Sequence, residues 1–240
     1  MNPILECKGL TRKFNHFFAL SNVDLTLERG EIIGLLGPNG SGKTTLLKML
    51  DKSMMPEGRL SGKAEYYGRQ ISSLSQAEAA VKIGYVGQNP DNQIVTDKVW
   101  HELAFGLESL GYSNADIRIR VAEMASYFGI QDWFYKNVSE LSGGQKQLLN
   151  LASIMAMHPD MLILDEPTSQ LDPIAASDFL ETVKKINRDL GTTIILTEHR
   201  LEEVFPSADR VVVMDEGQIL CVGTPPEIGE ELKKRNHEMF

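Results

Sequence analysis

A glycine-rich turn near residue 40 has the residue types that bind phosphate. The segment GPNGSGKT fits the spacing GxxxxGK[ST] at every fixed position and lies between an apolar strand run and a helical run. Its glycines let backbone N–H groups converge on phosphate oxygens. Lys43 would reach the β- and γ-phosphates, and the Thr44 hydroxyl would ligate Mg²⁺. The predicted nucleotide-binding residues are Gly37, Pro38, Asn39, Gly40, Ser41, Gly42, Lys43, Thr44 and Thr45.

Two adjacent carboxylates follow another apolar run, MLIL at 161–164. Asp165 suits the acid that holds Mg²⁺ in a P-loop NTPase. Glu166, one residue further, would point in a different direction and could polarise a water for in-line attack on the γ-phosphate. Alone, the pair would indicate solvated acids at a strand end. Downstream of a P-loop, it predicts a site that hydrolyses nucleotide.

A second glycine turn, LSGGQKQ, runs from Leu141 to Gln147 ahead of an apolar, helix-compatible stretch. It leaves backbone N–H groups at a helix start, which favours an anion. It lacks a lysine at the position where the P-loop has one. By itself it indicates only a weak anion site.

The elements that must position these residues alternate between short β-rich runs and helical runs. The runs IIGLL, MLILD and TIILT are almost continuously apolar, as expected of parallel strands buried on both faces. A helical stretch opens with Pro173 and closes at Gly191, the expected start and stop signals. The alternation predicts an α/β domain with a parallel sheet.

One region departs from this alternation. Between Asn89 and Met157 the chain is mostly helix-compatible and has no apolar strand run, which predicts a helical lobe inserted into the sheet domain. The segment Asp215–Gln218 indicates a hairpin that closes the last two strands. Because each motif occurs once, we expect one domain over residues 1–240.

Composition narrows the function. The formal charge of −9 opposes non-specific nucleic-acid binding, which needs a basic face. There is no pattern of a secretory signal and no apolar run near the ~18–20 residues that span a bilayer, so any membrane role needs a partner chain. Cys7 and Cys221 occur singly in strand-like contexts and are expected to be buried free thiols in a reducing cytosol.

In this order and spacing, GPNGSGKT, LSGGQKQ, LILDEPTSQLD and LTEH resemble the ATP-binding-cassette (ABC) ATPases over essentially the whole chain. The resemblance implies an α/β P-loop NTPase fold with a parallel-sheet core, an N-terminal antiparallel β portion and an inserted α-helical subdomain. It divides the chain into a nucleotide-binding core (1–88 and 156–224), a helical signature subdomain (89–155) and a C-terminal tail (225–240). The implied reaction is ATP hydrolysis, with ATP and Mg²⁺ bound.

The second glycine turn matches the family's signature motif, which covers the γ-phosphate held by the P-loop of a partner cassette in a head-to-tail dimer. The motif's residues here are Leu141, Ser142, Gly143, Gly144 and Gln145. The chemistry suits that role, since the glycines allow close approach, the serine hydroxyl can donate, and the helix start carries partial positive charge.

Three further single positions and one four-residue loop match the family. Gln88 fits the Q-loop amide that reaches Mg²⁺ or the attacking water, and His199 fits the switch histidine that contacts the γ-phosphate. Phe14 lies where the family stacks an aromatic ring on adenine, although Tyr is commoner there and Phe17 or Phe18 could belong to the core. The D-loop, which crosses the dimer interface, corresponds to Ser169, Gln170, Leu171 and Asp172, with Gln170 replacing a commoner small residue.

Subfamily features point to importers. QNPDNQIV, TDKVWHELAFGLESLG and TEHRLEEV resemble the ATPases of energy-coupling-factor importers, which take up vitamins and transition-metal ions. In that resemblance Val95–Leu110 meets a helix of an integral membrane subunit, so the chain is expected in the cytoplasm, held at the inner face of the membrane. TSQLDP and TEHRLEEV also recur in cassettes fused in tandem, so the second cassette is a homodimer partner, a heterodimer partner or a fused domain.

Two other functions remain open from the sequence. One is a soluble cassette protein that works on nucleic acid or ribosomes. Such proteins usually carry two cassettes, long coiled-coil insertions or basic extensions, and the acidic balance of this chain opposes that reading. The other is an exporter ATPase, which only the subfamily features oppose. We therefore expect no nucleic-acid partner.

Overall fold

The computed structural model describes residues 3–14, 17–55, 59–198 and 204–235. Within these ranges the strands are β1 (Leu5–Phe14), β2 (Phe17–Leu27), β3 (Ile32–Leu36), β4 (Arg59–Tyr66), β5 (Arg69–Gln70), β6 (Ile83–Val86), β7 (Met161–Asp165), β8 (Thr193–Thr197), β9 (Arg210–Asp215) and β10 (Gln218–Gly223). The helices are α1 (Lys43–Met49), α2 (Gln76–Lys82), α3 (Val99–Ser109), α4 (Asn114–Tyr127), α5 (Gly143–Met155), α6 (Pro173–Leu190) and α7 (Pro225–Arg235).

The central sheet has the strand order β10-β9-β3-β8-β7-β6. Its strands run parallel except β10, which forms the expected hairpin with β9. In β3, Ile32 and Leu36 belong to one hydrophobic core, while Ile33 and Leu35 belong to a second core on the other face. This two-sided burial explains why the central strands are continuously apolar.

A smaller antiparallel sheet, in the order β2-β1-β4-β5, contributes to the second core. Strand β4 is not evident from the sequence because residues 59–63 are all exposed and carry no apolar pattern. Its position comes from backbone pairing with β1, for example Leu5 opposite Tyr66. Only the end of the strand, around Tyr66, packs into the second core, so its exposed first half is specified mainly by pairing with β1.

The helices α3, α4 and α5 lie between β6 and β7 in the chain and pack together. Leu103, Leu107, Val121 and Leu149 join them to the first hydrophobic core. Helix α5 begins at a capping box, in which Ser142 Oγ accepts from Gln145 N and Gln145 Oε1 accepts from Ser142 N. This cap fixes where the helix starts and stabilises it by about 1 kcal/mol.

The two cysteines differ in environment. Cys7 is buried in the second core, and burial raises the pKa of its thiol to about 12. Cys221 is only half-buried, so the expectation of two buried thiols is wrong for this residue. The reason is that β10 is the edge strand of its sheet and keeps one side open. No helix in the described ranges is long and apolar enough to cross a membrane.

Candidate nucleotide-binding and catalytic site

The predicted site residues gather at the carboxyl ends of four adjacent parallel strands. The glycine turn follows β3, Asp165 and Thr197 end β7 and β8, and Gln88 follows β6. Ligands of open α/β sheets bind at this edge, because the loops there diverge and leave a crevice. The sheet thus brings together residues up to 160 positions apart, such as Gly37 and Thr197.

Two glycines of the first turn are required by close packing. A Cβ on Gly37 would lie 2.3 Å from Met214 O, and one on Gly42 would lie 2.6 Å from Ala19 O. Gly42 also has a φ of 100°, a left-handed conformation that side chains disfavour. The turn is therefore pressed against β2 and the end of β9, which holds its backbone in one shape.

The same turn contains a buried cation and an unsatisfied hydroxyl. Lys43 Nζ donates to Gly37 O at 2.7 Å and to Pro38 O at 3.1 Å. Burial lowers the pKa of Lys43, and the charges of Glu166 and Asp165 oppose that shift. Ser41 Oγ is buried and has no hydrogen-bond partner among the described residues. A phosphate would supply the partner that Ser41 Oγ lacks and would accept from the remaining proton of Lys43 Nζ, so this cradle fits a nucleotide.

Asp165 is surrounded by three hydroxyl donors. Thr44 Oγ1 and Thr197 Oγ1 each donate to its Oδ1 at 3.1 Å, and Tyr85 OH donates to its Oδ2 at 2.8 Å. Burial, followed by the charge of Asp165, raises the pKa of Tyr85. Hydroxyl and carboxylate oxygens are the ligands that Mg²⁺ prefers, so the Thr44–Asp165 pair fits this ion.

Glu166 has a left-handed backbone, with a φ of 49°, and its carboxylate has a different partner from that of Asp165. Its N–H donates to Thr197 Oγ1 at 2.9 Å and to Thr197 O at 3.2 Å, and these two bonds fix the turn. Its carboxylate oxygen Oε2 accepts from Gln88 Nε2 at 2.5 Å. The structure therefore brings the predicted Q-loop amide and the predicted water-activating acid into direct contact.

The signature residues lie apart from this cluster. In the part of the chain that the structure describes, no hydrogen bond or ion pair joins residues 141–145 to the P-loop. Leu141 is buried, while Ser142 and Gly143 are exposed at the start of α5. In the predicted D-loop, Ser169 and Gln170 are exposed, and Asp172 caps α6 by accepting from Ile174 N and Ala175 N at 3.0 Å.

The remaining two predicted site residues have different outcomes. His199 lies outside the described residues. Phe14 is half-buried at the end of β1, and the guanidinium carbon of the buried Arg12 lies 5.6 Å from its ring centroid. Phe17 and Phe18 are 62% and 47% exposed, so the alternative that one of them belongs to the core is wrong.

Three polar residues of this region were missed from the sequence. Tyr85 lies inside the apolar strand β6, Thr197 is the last residue of the buried strand β8, and Gln147 lies in α5, where its side chain is completely buried. A polar residue in an otherwise buried run needs a partner, and that need was the available signal. The identity of that partner depends on the register of neighbouring strands. For example, Thr197 lies opposite Asp165 in the parallel pair β7–β8.

A phosphate cradle, an acid pair and a parallel sheet define a P-loop nucleotide-binding protein. The family profile described as ABC transporter matches residues 20–169, more than half of the chain. This chain therefore belongs to the ABC transporter family, as its motifs predict. It has an ATP-binding cassette fold, and the expected fold class is confirmed.

Individual relatives indicate which ATPases within the family this chain resembles in sequence. A Bacillus cereus protein provisionally assigned as an ABC transporter ATP-binding protein is 49% identical over 210 residues, which are 88% of this chain and 38% of the relative. The energy-coupling factor transporter ATP-binding protein EcfA1 of Geobacillus kaustophilus is 38% identical over 94% of this chain and 80% of the relative. The resemblance to this group of ATPases is confirmed.

A solved structure agrees with the sequence relatives. CbiO1 of Clostridium perfringens, part of the ABC transporter complex CbiONQ, superimposes with a TM-score of 0.87 at 31% identity over 98% of this chain and 95% of that one. The chain spans less than two-fifths of the length of the first curated relatives that it matches.

Proposed function

We propose that this chain is the ATP-hydrolysing cassette of a membrane transporter, of the type that energises energy-coupling-factor importers. The observation that carries the proposal is the contact between Gln88 and Glu166, whose side-chain atoms Nε2 and Oε2 lie 2.5 Å apart. A carboxylate held by an amide, next to a phosphate cradle and an acid that suits Mg²⁺, has the parts that ATP hydrolysis requires.

In the proposed mechanism, Lys43 and the N–H groups of the P-loop bind the phosphates while Phe14 stacks on the adenine. Thr44, Asp165 and Gln88 would hold Mg²⁺, which would supply positive charge to offset that of the bound phosphates. Glu166 orients and polarises the attacking water, and His199 contacts the γ-phosphate. Catalysis of this kind consists mostly of positioning and electrostatic stabilisation.

The signature turn completes the site of a second cassette. Exposure of Ser142 and Gly143 at the start of α5 supports this role, since the turn is open to a partner and separate from its own P-loop. ATP would close the head-to-tail dimer and hydrolysis would reopen it. The second cassette is an identical chain, a different chain or a fused domain.

The membrane subunit is proposed to dock on the segment Val95–Leu110. A cavity of about 350 Å³ lies there between α3, β6 and α5, and Val95 and Phe105 in its lining are 66% and 38% exposed. An apolar groove of this kind fits the apolar face of a helix. The chain would thus work in the cytoplasm, bound to the inner face of the membrane through a subunit that selects a vitamin or a metal ion.

The catalytic proposal is tested with Glu166→Gln, which keeps the size of the side chain and removes its charge. ATP turnover should fall by about 10²–10⁴-fold, because general base catalysis is lost, while ATP affinity is retained and a closed dimer accumulates in MgATP. Glu181→Gln, at an exposed acid on α6, is the matched control. Unchanged turnover in the Glu166 variant would refute the role of this residue.

The docking proposal is tested separately. Phe105→Glu should abolish co-purification of the integral membrane subunit, because a charge in an apolar groove opposes burial. ATP binding should be unaffected. The control Val222→Glu changes a residue of similar exposure, 45%, on the edge strand β10. Retention of the membrane subunit by the Phe105 variant would exclude this groove as the docking site.

A further inference from the structure

One side-chain amide from the signature helix bridges the two segments that carry Gln88 and Glu166. Gln147 Nε2 donates to Gly87 O and to Pro167 O, both at 2.9 Å. Gly87 directly precedes Gln88, and Pro167 directly follows Glu166. Both protons of this amide are therefore used on carbonyl groups that flank the Gln88–Glu166 contact.

The bridge lies where the sheet stops holding these segments together. The parallel pairing of β6 with β7 ends at Val86 opposite Leu164. Beyond that pair the two segments continue as separate loops, and backbone hydrogen bonds between β6 and β7 no longer set the distance between them. The amide of Gln147 joins the two segments past the ladder, at Gly87, one residue after Val86, and at Pro167, three residues after Leu164.

A second amide on the same helix strengthens the link to the Q-loop. Asn150 Nδ2 donates to Gln93 Oε1 at 3.0 Å, and the same oxygen accepts from Gly87 N at 2.6 Å. Gln93 Nε2 in turn donates to Tyr85 O at 3.0 Å. Because Gln147 and Asn150 are three residues apart, they lie on one face of α5 and hold the Q-loop at two points.

The unsatisfied acceptor of Gln147 indicates that this side chain is present for the two hydrogen bonds that its amide donates. The side chain is completely buried, and its Oε1 has no hydrogen-bond partner in the part of the chain that the structure describes. An unsatisfied buried acceptor is destabilising. If this position only filled space, an apolar side chain of the same volume would be the more stable choice.

We propose that Gln147 is a positioning residue, which fixes the separation of Gln88 and Glu166 and couples it to the first turn of α5. The inference rests on the roles proposed above for Gln88 and Glu166. Ser142, the cap of α5, lies five residues before Gln147 on the same helix. A partner's nucleotide bound at Ser142 therefore acts, through one rigid helix, on the water-activating pair of this chain.

The test is Gln147→Met, which keeps the volume and removes both donors. The chain provides a matched control in Asn187, whose Nδ2 also bridges two carbonyl groups, Gly30 O and Thr192 O, both at 2.8 Å. Gln147→Met and Asn187→Leu should lower the melting temperature to a similar extent, because each removes two hydrogen bonds to carbonyl groups. Only Gln147→Met should lower kcat, by about tenfold or more, with KM and the ATP affinity of the monomer within about twofold. Equal kcat in both variants would overturn the proposal.

A double-mutant cycle separates positioning from general destabilisation. In a Gln88→Ala background the Gln147→Met change should cost less than about twofold in kcat, because the pair that it positions is already broken. Additive losses would overturn the proposal.

If Gln147→Met does not fold, Gln147→Asn replaces it, since its amide is one methylene too short to reach both carbonyl groups. Full turnover in Glu166→Gln would refute the catalytic role, whereas an inactive Glu166→Gln beside a fully active Gln147→Met would refute only the inference on Gln147.

Discussion

The glycine turn after β3 and the glycine turn before α5 both present backbone N–H groups at a helix start, yet their surroundings differ. The first contains the buried Lys43 and the unsatisfied hydroxyl of Ser41. In the second, Ser142 is exposed and its backbone N–H and side chain are already engaged with Gln145. The first turn thus has a positive charge and a free hydroxyl that an anion would bind. The second turn satisfies its own cap and is exposed to another molecule.

The glycines of the two turns show the same contrast. A Cβ on Gly42 would collide with Ala19 O, so this glycine is required by the fold of its own chain. A Cβ on Gly143 would meet no atom of the described residues within 4 Å. A glycine with open space around it has no packing role in the single chain. Its role is then expected to appear only when a partner approaches.

The largest effect is expected from removing the cation of the first turn. Lys43→Met should weaken ATP binding to a single cassette by about 100-fold or more, since a desolvated charge on the phosphates is lost. Equilibrium binding of ATP to the monomer measures this directly. The second turn provides the comparison, because its variants should bind ATP normally. Normal ATP binding by Lys43→Met would remove the distinction between the two turns.

Blocking the second turn should separate binding from turnover. Ser142→Arg should leave ATP affinity of the monomer within about twofold, while dimer closure and hydrolysis fall about 100-fold or more because the side chain obstructs the approach of the partner. Light scattering in MgATP and steady-state ATPase rates measure the two effects. Loss of ATP binding by the monomer would show that the signature turn serves its own chain.

A smaller and sharper contrast comes from adding one methyl group to each turn. Gly143→Ala should leave thermal stability unchanged and lower turnover by about tenfold, because the new Cβ lies only in the path of a partner. Gly42→Ala should lower the free energy of unfolding by about 1–3 kcal/mol as well as turnover, since it adds strain at a left-handed φ. Thermal melts with parallel ATPase assays decide the comparison. Unchanged turnover in Gly143→Ala would argue against close approach at this glycine.

The smallest effect concerns the adenine end of the first turn's site. Phe14→Ala should weaken ATP binding by about tenfold, as stacking on a base contributes about 1–3 kcal/mol. Phe17→Ala should change it less than twofold, which makes it the control at an exposed ring on the neighbouring strand. Competition by inorganic triphosphate, which has no base, should be equal in both variants. Equal ATP affinities would exclude Phe14 as the stacking residue.

The sequence predicts those features that depend on local pattern. The P-loop and the acid pair are contiguous motifs. The central strands are recognisable as continuous apolar runs because they are buried on both faces. The contacts of Tyr85, Thr197 and Gln147 could not be predicted, because each depends on which residue of a distant element lies opposite. The half-burial of Cys221 depends likewise on β10 being an edge, which only the strand order shows.

The left-handed backbone of Glu166 sets stability against function. A side chain held in that conformation costs about 1–3 kcal/mol, and the two hydrogen bonds from its N–H to Thr197 keep it there. Glycine at this position would avoid the cost, because glycine adopts left-handed φ values freely, but it would remove the carboxylate. The protein therefore keeps a strained backbone at a buried acid proposed to activate water, and the hydrogen bonds to Thr197 hold it in that conformation.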